Sequence, residues 1–490
     1  MKFCAVFAAF LAAALPGWSA TYRVKAEHGL GKLRVTVTLN EGDSSSEFRM
    51  PAWAPGDYRI LDFGKGVSAE LFKTGDGTIT RSTHSNVNSW QVSTPANTVE
   101  YLVADSGGAG LFSDFFRLTK DEFCFDGPAV LGYFVGHQNE PHTLIIEKTI
   151  AGAGVECALE PVATDNKNEA RYKAPDYDTL VDCPVVHSVR LRVQEFTVLG
   201  KPHKIVAFNR SSGVNVDSFA KVCEKIIPQA AAMMGGLPYP RYYFMFDFGG
   251  GGGGLEHLLC NKIGIGPDFT ATMLSDFIAH EYFHAWNVKR IRAKPLGPFD
   301  YQAKAVTGTL WWLEGVTDYY SKLLVHRAGL WNRAELLDAL STSVYELTTV
   351  SARNSVSADE CSRRVWEAGN SEGFGGMSYY LKGEVVGFCL DMAIRAESDG
   401  KHSLDDVMRT LHKECSDGKP GYSETRIREL CIQFGGDGLA EVYDSCVMKP
   451  GEVPIGTWLR RLGMRWTNEG IAISQDASPA AKRIGSQWPN

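Results

Sequence analysis

Short runs of alternating apolar and polar residues dominate the chain from residue 21 to about residue 180. The segments KLRVTVTL, VEYLVA and HTLIIEK are β-branched or alternate with a period of two, and Gly, Asp, Asn and Pro residues separate them. A period of two places successive side chains on opposite faces of a strand. No long helical pattern interrupts these runs, so they predict an antiparallel β-sandwich domain over residues 21–181.

The pattern changes at about residue 182. VRLRVQEFTVLGKPHKIVAF predicts a β-hairpin, VDSFAKVCEKIIPQAAAMMGG has the apolar spacing of a helix that ends at Gly-Gly, and YYFMFDF predicts a buried strand. We therefore expect a mixed α/β domain over 182–325 and an α-helical part over 326–467. Periodicity is lost from residue 468, which predicts an irregular tail over 468–490. The predicted fold class is α+β with several domains, because 490 residues exceed a single core.

The composition argues against nucleic acid and membranes as partners. Apolar residues make up 44% of the chain, charged residues 22%, and the formal net charge is −7. No extended basic cluster is present, so we expect no nucleic-acid partner. Apart from the N-terminus, no stretch of 18 apolar residues is found, so we expect no stable membrane insertion.

The N-terminus has the pattern of a secretory signal. Lys2 is followed by an apolar run from Phe3 to Leu15, then by Pro16 and small residues. This run is too short to span a bilayer, and it predicts a signal peptide over residues 1–20. We therefore expect an exported protein, periplasmic or extracellular. Its ten remaining cysteines permit disulfides in that compartment, of which we expect a few at most.

The segment SDFIAHEYFHAWNVKRIR contains an HExxH motif. On a helix, His280 and His284 lie one turn apart on the same face, so both imidazoles can reach one metal ion. Glu281 is adjacent to that face and is the expected general base. The alternative is a core helix with two incidental histidines.

The third ligand separates these readings, because hydrolytic zinc needs three protein ligands and an open position. The segment LWWLEGVTDYY offers Glu314, with 29 residues between it and His284. Asp318, four residues later, is placed to accept the other ring N–H of a ligand histidine. The alternative, a solvated acidic face, fits poorly with the surrounding tryptophans and tyrosines.

Six glycines, residues 249 to 254, lie between two runs typical of strands. No GK[ST] follows them, which excludes a phosphate loop. Glycines beside a strand permit the close approach of another backbone, so a peptide substrate fits along Gly253 and Gly254. Glu256, directly after the run, is expected to project over the site. A flexible linker is the alternative.

The segment SYYLKG places Tyr379 and Tyr380 ahead of a Lys-Gly pair. A phenol O–H donates readily to an oxyanion. From spacing alone, a packed core tyrosine is the more probable interpretation.

Together these motifs resemble the glycyl aminopeptidase family of gluzincin metallopeptidases. FRMPAWAPGDYRILDFGKGV (48–67), YDTLVDCPV, GGLEH, HEYFHAWNVKRIR, LGPFDY, WLEGVTDYY and SYYLKG match that family in order. The resemblance spans about residues 30 to 465. It implies a β-sandwich followed by a thermolysin-like catalytic domain with a helical extension, and Zn²⁺ as the cofactor.

The resemblance also implies roles for individual residues. His280, His284 and Glu314 correspond to the zinc ligands and Glu281 to the general base. Gly253 to His257 resemble the exopeptidase loop of the related aminopeptidase N group, in which the acid, here Glu256, binds the substrate α-ammonium. Tyr380 corresponds to that group's transition-state tyrosine. The implied partners are peptides with a free N-terminus.

Two departures from the family pattern affect these expectations. The family usually carries a C-terminal PDZ domain, whereas this sequence ends at Asn490. An acid is expected soon after the proline of DCPV, where Val186-His187-Ser188 stand instead, which bears on the inherited preference for N-terminal glycine or alanine. The sequence thus predicts an exported zinc aminopeptidase, with a zinc endopeptidase or a non-catalytic peptide-binding protein as alternatives.

Overall fold

The computed structural model describes residues 20–105, 115–210, 213–249, 252–266, 268–368, 376–416 and 418–489. The predicted signal peptide, except for Ala20, lies outside these ranges. Among the described helices, none combines the length and the apolar character needed to cross a membrane.

The N-terminal region consists almost wholly of strands. Their bounds are β1 (Ala20–Glu27), β2 (Lys32–Leu39), β3 (Ser45–Arg49), β4 (Val67–Lys73), β5 (Ile79–Thr80), β6 (Ser82–Asn86), β7 (Ser89–Ala96), β8 (Thr98–Val103), β9 (Phe116–Leu118), β10 (Glu122–Phe125), β11 (Tyr133–Phe134), β12 (His142–Glu147), β13 (Gly154–Cys157), β14 (Glu160–Val162), β15 (Glu169–Ala174) and β16 (Val185–Ser188). Two short helices, α1 (Gly127–Val130) and α2 (Tyr177–Asp182), interrupt them.

These strands form one eight-stranded sheet in the order β14-β15-β12-β1-β2-β8-β4-β5 and two four-stranded sheets, β13-β16-β10-β9 and β11-β3-β7-β6. Residues on β1 and β2 are alternately buried and half-buried, as their period of two predicts. Most pairs are antiparallel, but β1 pairs with β12 in parallel. Parallel pairing needs a long connection between the strands, which local periodicity does not reveal.

A further, five-stranded sheet carries Gly253, Gly254 and Glu256 of the candidate site. It contains β17 (Arg192–Val198), β18 (Lys201–Asn209), β19 (Tyr242–Phe248), β20 (Gly253–Glu256) and β21 (Cys260–Ile265), in the order β17-β18-β19-β21-β20. The helices α3 (Val216–Met234), α4 (Ser275–Phe283) and α5 (Val316–Arg327) accompany it. The predicted hairpin, helix and buried strand correspond to β17–β18, α3 and β19, and these predictions are confirmed. Strand β20 pairs antiparallel with β21 at the end of the sheet.

Both faces of β19 are buried, which explains why YYFMFDF is apolar at nearly every position. Phe244 and Phe246 pack in the core that contains the helices, whereas Tyr243 and Met245 pack in the core of the N-terminal region. A strand that is covered on both faces reads as a continuous apolar run. The N-terminal region is therefore joined to the α/β region through a shared apolar layer.

The remainder is mostly helical, as expected. The helices are α6 (Arg333–Thr349), α7 (Ala358–Arg363), α8 (Val365–Ala368), α9 (Tyr379–Glu397), α10 (Leu404–Cys415), α11 (Arg426–Gly435), α12 (Leu439–Tyr443), α13 (Ile455–Arg461) and α14 (Pro479–Gln487). The predicted fold class, α+β with an N-terminal β region and a helical C-terminal region, is confirmed. The ten cysteines of the described residues are buried free thiols.

The irregular tail expected over 468–490 is wrong. Strands β22 (Met464–Thr467) and β23 (Gly470–Ile473) form a hairpin, and α14 follows. Trp488 is fully buried, stacks on Phe388 and donates from Nε1 to the Tyr319 hydroxyl at 3.0 Å. One large aromatic residue fixes this segment by burial, and a single buried side chain produces no periodicity in the sequence.

Helix α9 approaches the turn Trp311–Gly315 closely at a pair of glycines. A Cβ on Gly315 would lie 2.5 Å from the Gly383 Cα, and a Cβ on Gly383 would clash with the Trp311 carbonyl oxygen. The two backbones thus touch where the turn Trp311–Gly315 crosses α9. This contact fixes the distance between Glu314, on that turn, and Tyr380, on α9.

We expect Gly383→Ala to lower the free energy of unfolding by about 1–3 kcal/mol, because overpacking at a backbone contact exceeds the gain in helix propensity. Thermal unfolding monitored by circular dichroism measures this change. Gly456→Ala in α13 is the matched control, since the nearest atom to its added Cβ is 3.9 Å away. The control should leave stability unchanged or slightly raised, and equal melting temperatures for both variants would contradict the close-contact interpretation.

Candidate metal centre and active site

Three buried ligand atoms converge at the start of the helical region. The Nε2 atoms of His280 and His284 are 3.0 Å apart. The Glu314 Oε2 lies 3.5 Å from the first and 3.2 Å from the second. All three residues are buried, and they form a group able to hold one metal ion.

The spacing of these atoms fits a tetrahedral metal. Ligand atoms about 2.0–2.1 Å from a tetrahedral Zn²⁺ stand about 3.3 Å from one another. The three observed separations, 3.0, 3.2 and 3.5 Å, bracket that edge length. Two imidazoles and one carboxylate also match the donor set of catalytic zinc, which leaves the fourth position open.

The remaining ring nitrogens orient both histidines toward the common point. The His284 Nδ1 lies 2.5 Å from the Asn287 carbonyl oxygen, which can only accept, so Nδ1 carries the proton. The His280 Nδ1 lies 2.8 Å from the Asp318 Oδ1. Held through Nδ1, each ring turns its Nε2 toward Glu314 and toward the other ring, and a cation bound there would take the place of the Nε2 protons.

Glu314, the third candidate ligand, lies on a π-helical turn, Trp311–Gly315. Asn287 fixes this turn against the HExxH segment, because its side-chain amide donates to the Trp312 carbonyl at 2.9 Å and to the Thr317 hydroxyl at 3.1 Å. Burial opposes ionisation of Glu314, but the two imidazoles outweigh it and hold the pKa of this carboxyl well below its usual range.

The expected general base, Glu281, faces the same cavity. Its Oε2 is buried and has no hydrogen-bond partner among the described residues, so it is available to a water or substrate proton. Burial raises the pKa of Glu281 to about 7, against the opposing effect of the two histidines. Gly254 packs directly on this side chain, since a Cβ there would clash with the Glu281 carboxylate.

Glu256 enters the cavity from the end of β20. One of its oxygens lies within 4.8 Å of ligand atoms on both Glu281 and His284. The N-terminal region packs against it, because a Cβ on Gly56 would lie 3.0 Å from the Glu256 Oε2. Gly56 has a φ of +93° and Gly253 a φ of +123°, so glycine is favoured at both positions.

The structure distinguishes the two adjacent tyrosines. Tyr380 lines the metal cavity, with its ring centroid 6.2 Å from that of His280. Tyr379 is fully buried beside it and does not line the cavity. The packed core tyrosine is therefore Tyr379, and Tyr380 is the residue placed to contact a substrate.

All of the residues proposed from the sequence meet in one cavity of about 230 Å³. Its lining comprises Gly56, Gly253, Gly254, Leu255, Glu256, Phe277, His280, Glu281, His284, Glu314, Asp318 and Tyr380. Sequence reasoning missed the roles of Gly56 and Asn287. The segment around Gly56 contributes only to the family resemblance, and no residue near it in the sequence indicates a contact with Glu256.

The sequence departure at Val186-His187-Ser188 lies away from this cavity. These residues form β16, and the His187 Nδ1 contacts the Gly154 carbonyl oxygen at 2.9 Å inside the N-terminal region. None of the three lines the metal cavity.

Comparison with protein families gives two matches. The family model described as M61 glycyl aminopeptidase matches residues 273–386, and that of the Peptidase M61 N-terminal domain matches residues 21–189. Together they span more than half of the 490 residues and include both histidines, Glu314, Glu281 and Tyr380. No curated protein sequence matches the chain.

Solved structures share the fold. An aminopeptidase N family protein from Idiomarina loihiensis is similar with a TM-score of 0.80 and 23% identity, over 91% of this chain and 78% of that one. An M1 zinc metallopeptidase from Deinococcus radiodurans is similar with a TM-score of 0.56 and 13% identity, over 86% and 91% of the two chains. A mutant of that peptidase bound to a Tyr-Ser-Ala substrate gives a TM-score of 0.54 at 13% identity, over 89% and 94%.

The distances make Glu314 the candidate ligand, whereas Glu281 only lines the metal cavity. We expect Glu314→Gln to lose most of its affinity for Zn²⁺, because one of three ligands is removed. Glu281→Gln should keep its metal, although this side chain is equally buried. Calorimetric titration of the metal-free variants with Zn²⁺ measures both affinities, and the opposite order would show that Glu281 and not Glu314 is the ligand.

Proposed function

Because this chain belongs to the M61 glycyl aminopeptidase family, we propose that it is a zinc-dependent aminopeptidase that removes the N-terminal residue from peptides. The proposal includes a preference for a small N-terminal residue, glycine or alanine, of which the name of the family supports glycine. It also includes export, which the apolar segment from Phe3 to Leu15 supports and which sequencing the N-terminus of the exported protein would test.

The observation that carries the proposal is the short distance between Glu256 and the metal ligands. A Glu256 oxygen lies within 4.8 Å of the His284 ligand nitrogen. In a peptide, the α-nitrogen and the carbonyl carbon of the first residue are about 2.5 Å apart. One residue therefore fits between the carboxylate and the reacting carbonyl, and a free α-ammonium is the group that pairs with Glu256.

His280, His284 and Glu314 are the residues that would hold the zinc ion. When bound, zinc supplies Lewis-acid polarisation of the scissile carbonyl and activation of water. Asp318 and the Asn287 carbonyl keep the two imidazoles in their ligating orientation through the Nδ1 contacts.

Proton transfer in the proposed mechanism belongs to Glu281. Its unpartnered Oε2 accepts a proton from the attacking water and then donates it to the leaving amine. The Tyr380 hydroxyl donates a hydrogen bond to the oxyanion that develops on the carbonyl oxygen. Gly254 leaves room for the Glu281 carboxylate beside the backbone of β20.

The substrate backbone is proposed to lie along β20. This strand pairs on one side with β21, and the described residues include no strand paired with its other side. An extended peptide adds to such an edge through main-chain hydrogen bonds. Gly253 and Gly254 have no side chains to obstruct it.

A zinc endopeptidase of the same fold is the alternative function. It requires peptide chain to continue past Glu256, where the Gly56 segment of the N-terminal region packs against that carboxylate. This contact favours the aminopeptidase.

The role of Glu281 gives a direct test of the mechanism. Glu281→Gln should bind zinc normally while kcat falls by roughly three orders of magnitude or more, because only the proton-transfer step is removed. Steady-state kinetics together with metal analysis of the same preparation measure both quantities. A variant with full zinc and near-normal turnover would rule out this mechanism.

Discrimination of the free amine tests the function itself. We expect at least a roughly hundredfold preference in kcat/KM for aminoacyl-p-nitroanilides over their N-acetylated forms, since acetylation removes the charge-assisted bond and leaves Glu256 buried without a partner. A panel that includes glycyl, alanyl and larger aminoacyl groups also tests the side-chain preference. A chelator should abolish all cleavage.

Glu256→Ala is the matching variant. The preference should collapse through loss of activity on the free amine, with little gain on the acetylated compound, because the Gly56 segment remains in place. Efficient cleavage of acetylated or internal bonds by the wild-type protein would sink the aminopeptidase proposal and leave a zinc endopeptidase.

A further inference from the structure

A buried ion pair lies directly behind Glu256. The Lys289 Nζ is 2.8 Å from the Asp182 Oδ1 and 3.9 Å from the Glu256 Oε1. The three side chains are 8%, 14% and 7% exposed. Lys289 thus stands between two carboxylates and is closer to Asp182.

Asp182 also holds the chain that follows Glu256. Its Oδ2 accepts a hydrogen bond from the Leu258 backbone N–H at 2.5 Å, and its Oδ1 lies 3.6 Å from the His257 Nδ1. Asp182 is the last residue of α2 in the N-terminal region, whereas the other residues belong to the α/β region. One carboxylate therefore fixes both the strand end and the lysine across the junction.

The distances from Lys289 to the two carboxylates affect how Glu256 can bind a substrate. A substrate α-ammonium and the Lys289 ammonium compete for the same Glu256 carboxylate, because both are cations and that carboxylate is largely buried. With Asp182 present, Lys289 already has a closer partner. The three groups together carry one net negative charge, which matches one incoming ammonium.

We propose that Asp182 is a positioning residue for amine recognition: by holding the Lys289 ammonium, it keeps the Glu256 carboxylate free for the α-ammonium of the substrate. This inference rests on the proposed aminopeptidase function. Without the negative charge of Asp182, Lys289 turns to Glu256, and the substrate must displace it.

The two cavities beside Glu256 agree with this arrangement. The metal cavity and a neighbouring cavity of about 390 Å³ share Gly56 and Glu256, and Lys289 and Asp182 line only the second. The pair therefore acts on Glu256 from the side away from the metal. A change at Asp182 should affect substrate binding and leave the metal ligands and Glu281 in place.

The test uses the aminoacyl-p-nitroanilide that the zinc-loaded wild-type protein cleaves best, with its N-acetylated form as the reference. In Asp182→Asn we expect KM for the free amine to rise roughly tenfold or more with kcat within about threefold of wild type. The kcat/KM for the acetylated compound should not change. The double variant Asp182→Asn/Lys289→Met should return KM to within about threefold of wild type, because the competing cation is gone.

Asp126→Asn is the matched control. Asp126 and Lys262 form a comparable buried pair, 2.6 Å apart, across the same junction, and Asp126 does not line the metal cavity. This control should lower the melting temperature and leave the ratio of free to acetylated kcat/KM unchanged. If Asp182 had only a structural role, Asp182→Asn would likewise lower the melting temperature and leave that ratio unchanged.

The outcomes separate the two proposals. Equal cleavage of free and acetylated substrates by the wild type would overturn the aminopeptidase function and this inference with it. A wild-type preference that folded Asp182→Asn retains, or a double variant as impaired as the single one, would overturn this inference alone. Should Asp182→Asn not fold, Lys289→Met decides: an unchanged KM supports competition by Lys289, and a rise of roughly tenfold contradicts it.

Discussion

Two imidazole nitrogens and a carboxylate oxygen lie within 3.5 Å of each other in a buried place, and the surrounding structure is organised to hold them there. Two imidazole rings at this distance repel each other when both are protonated, so packing or a bound cation must hold them together. Here packing acts from several directions. Asp318 and the Asn287 carbonyl fix the rings, the Asn287 amide ties the HExxH segment to the Glu314 turn, and α9 presses on that turn through a glycine contact. Segments that are far apart in the sequence thus preorganise the candidate metal centre.

Around this centre, three carboxylates with different partners have different chemistry. Glu314 is held ionised by the two histidines. Glu281 has an unpartnered oxygen and a pKa raised to about 7 by burial. Glu256 lies at the edge of the cavity, near Lys289, whose ammonium is closer to Asp182. In the proposed mechanism, identical functional groups thus serve as ligand, base and amine receptor because their neighbours differ.

Local sequence predicted the parts of this site that depend on helical spacing. His280 and His284 are four residues apart, and so are Glu314 and Asp318. On a helix this interval places both side chains on one face, so no tertiary information is needed to pair them. The resemblance to a family gave Glu256 its role as the amine receptor and selected Tyr380 over Tyr379. Contacts between distant segments could not be read in this way: Gly56 against Glu256, Asp182 with Lys289, and Asn287 under the Glu314 turn each depend on how domains pack. Burial of Trp488, which orders the C-terminal segment, likewise depends on the Phe388 surface that receives it.

The two-sided burial of β19 has a consequence for how the chain matures. Tyr243 and Met245 face the core of the N-terminal region, and Phe244 and Phe246 face the other core, so β19 has no polar face of its own. During synthesis the N-terminal region emerges first and has time to fold before β19 leaves the ribosome. It then offers an apolar surface on which the later sheet can assemble, and so shields from aggregation a strand that is apolar on both faces. The order of the two regions along the chain makes the first a folding template for the second.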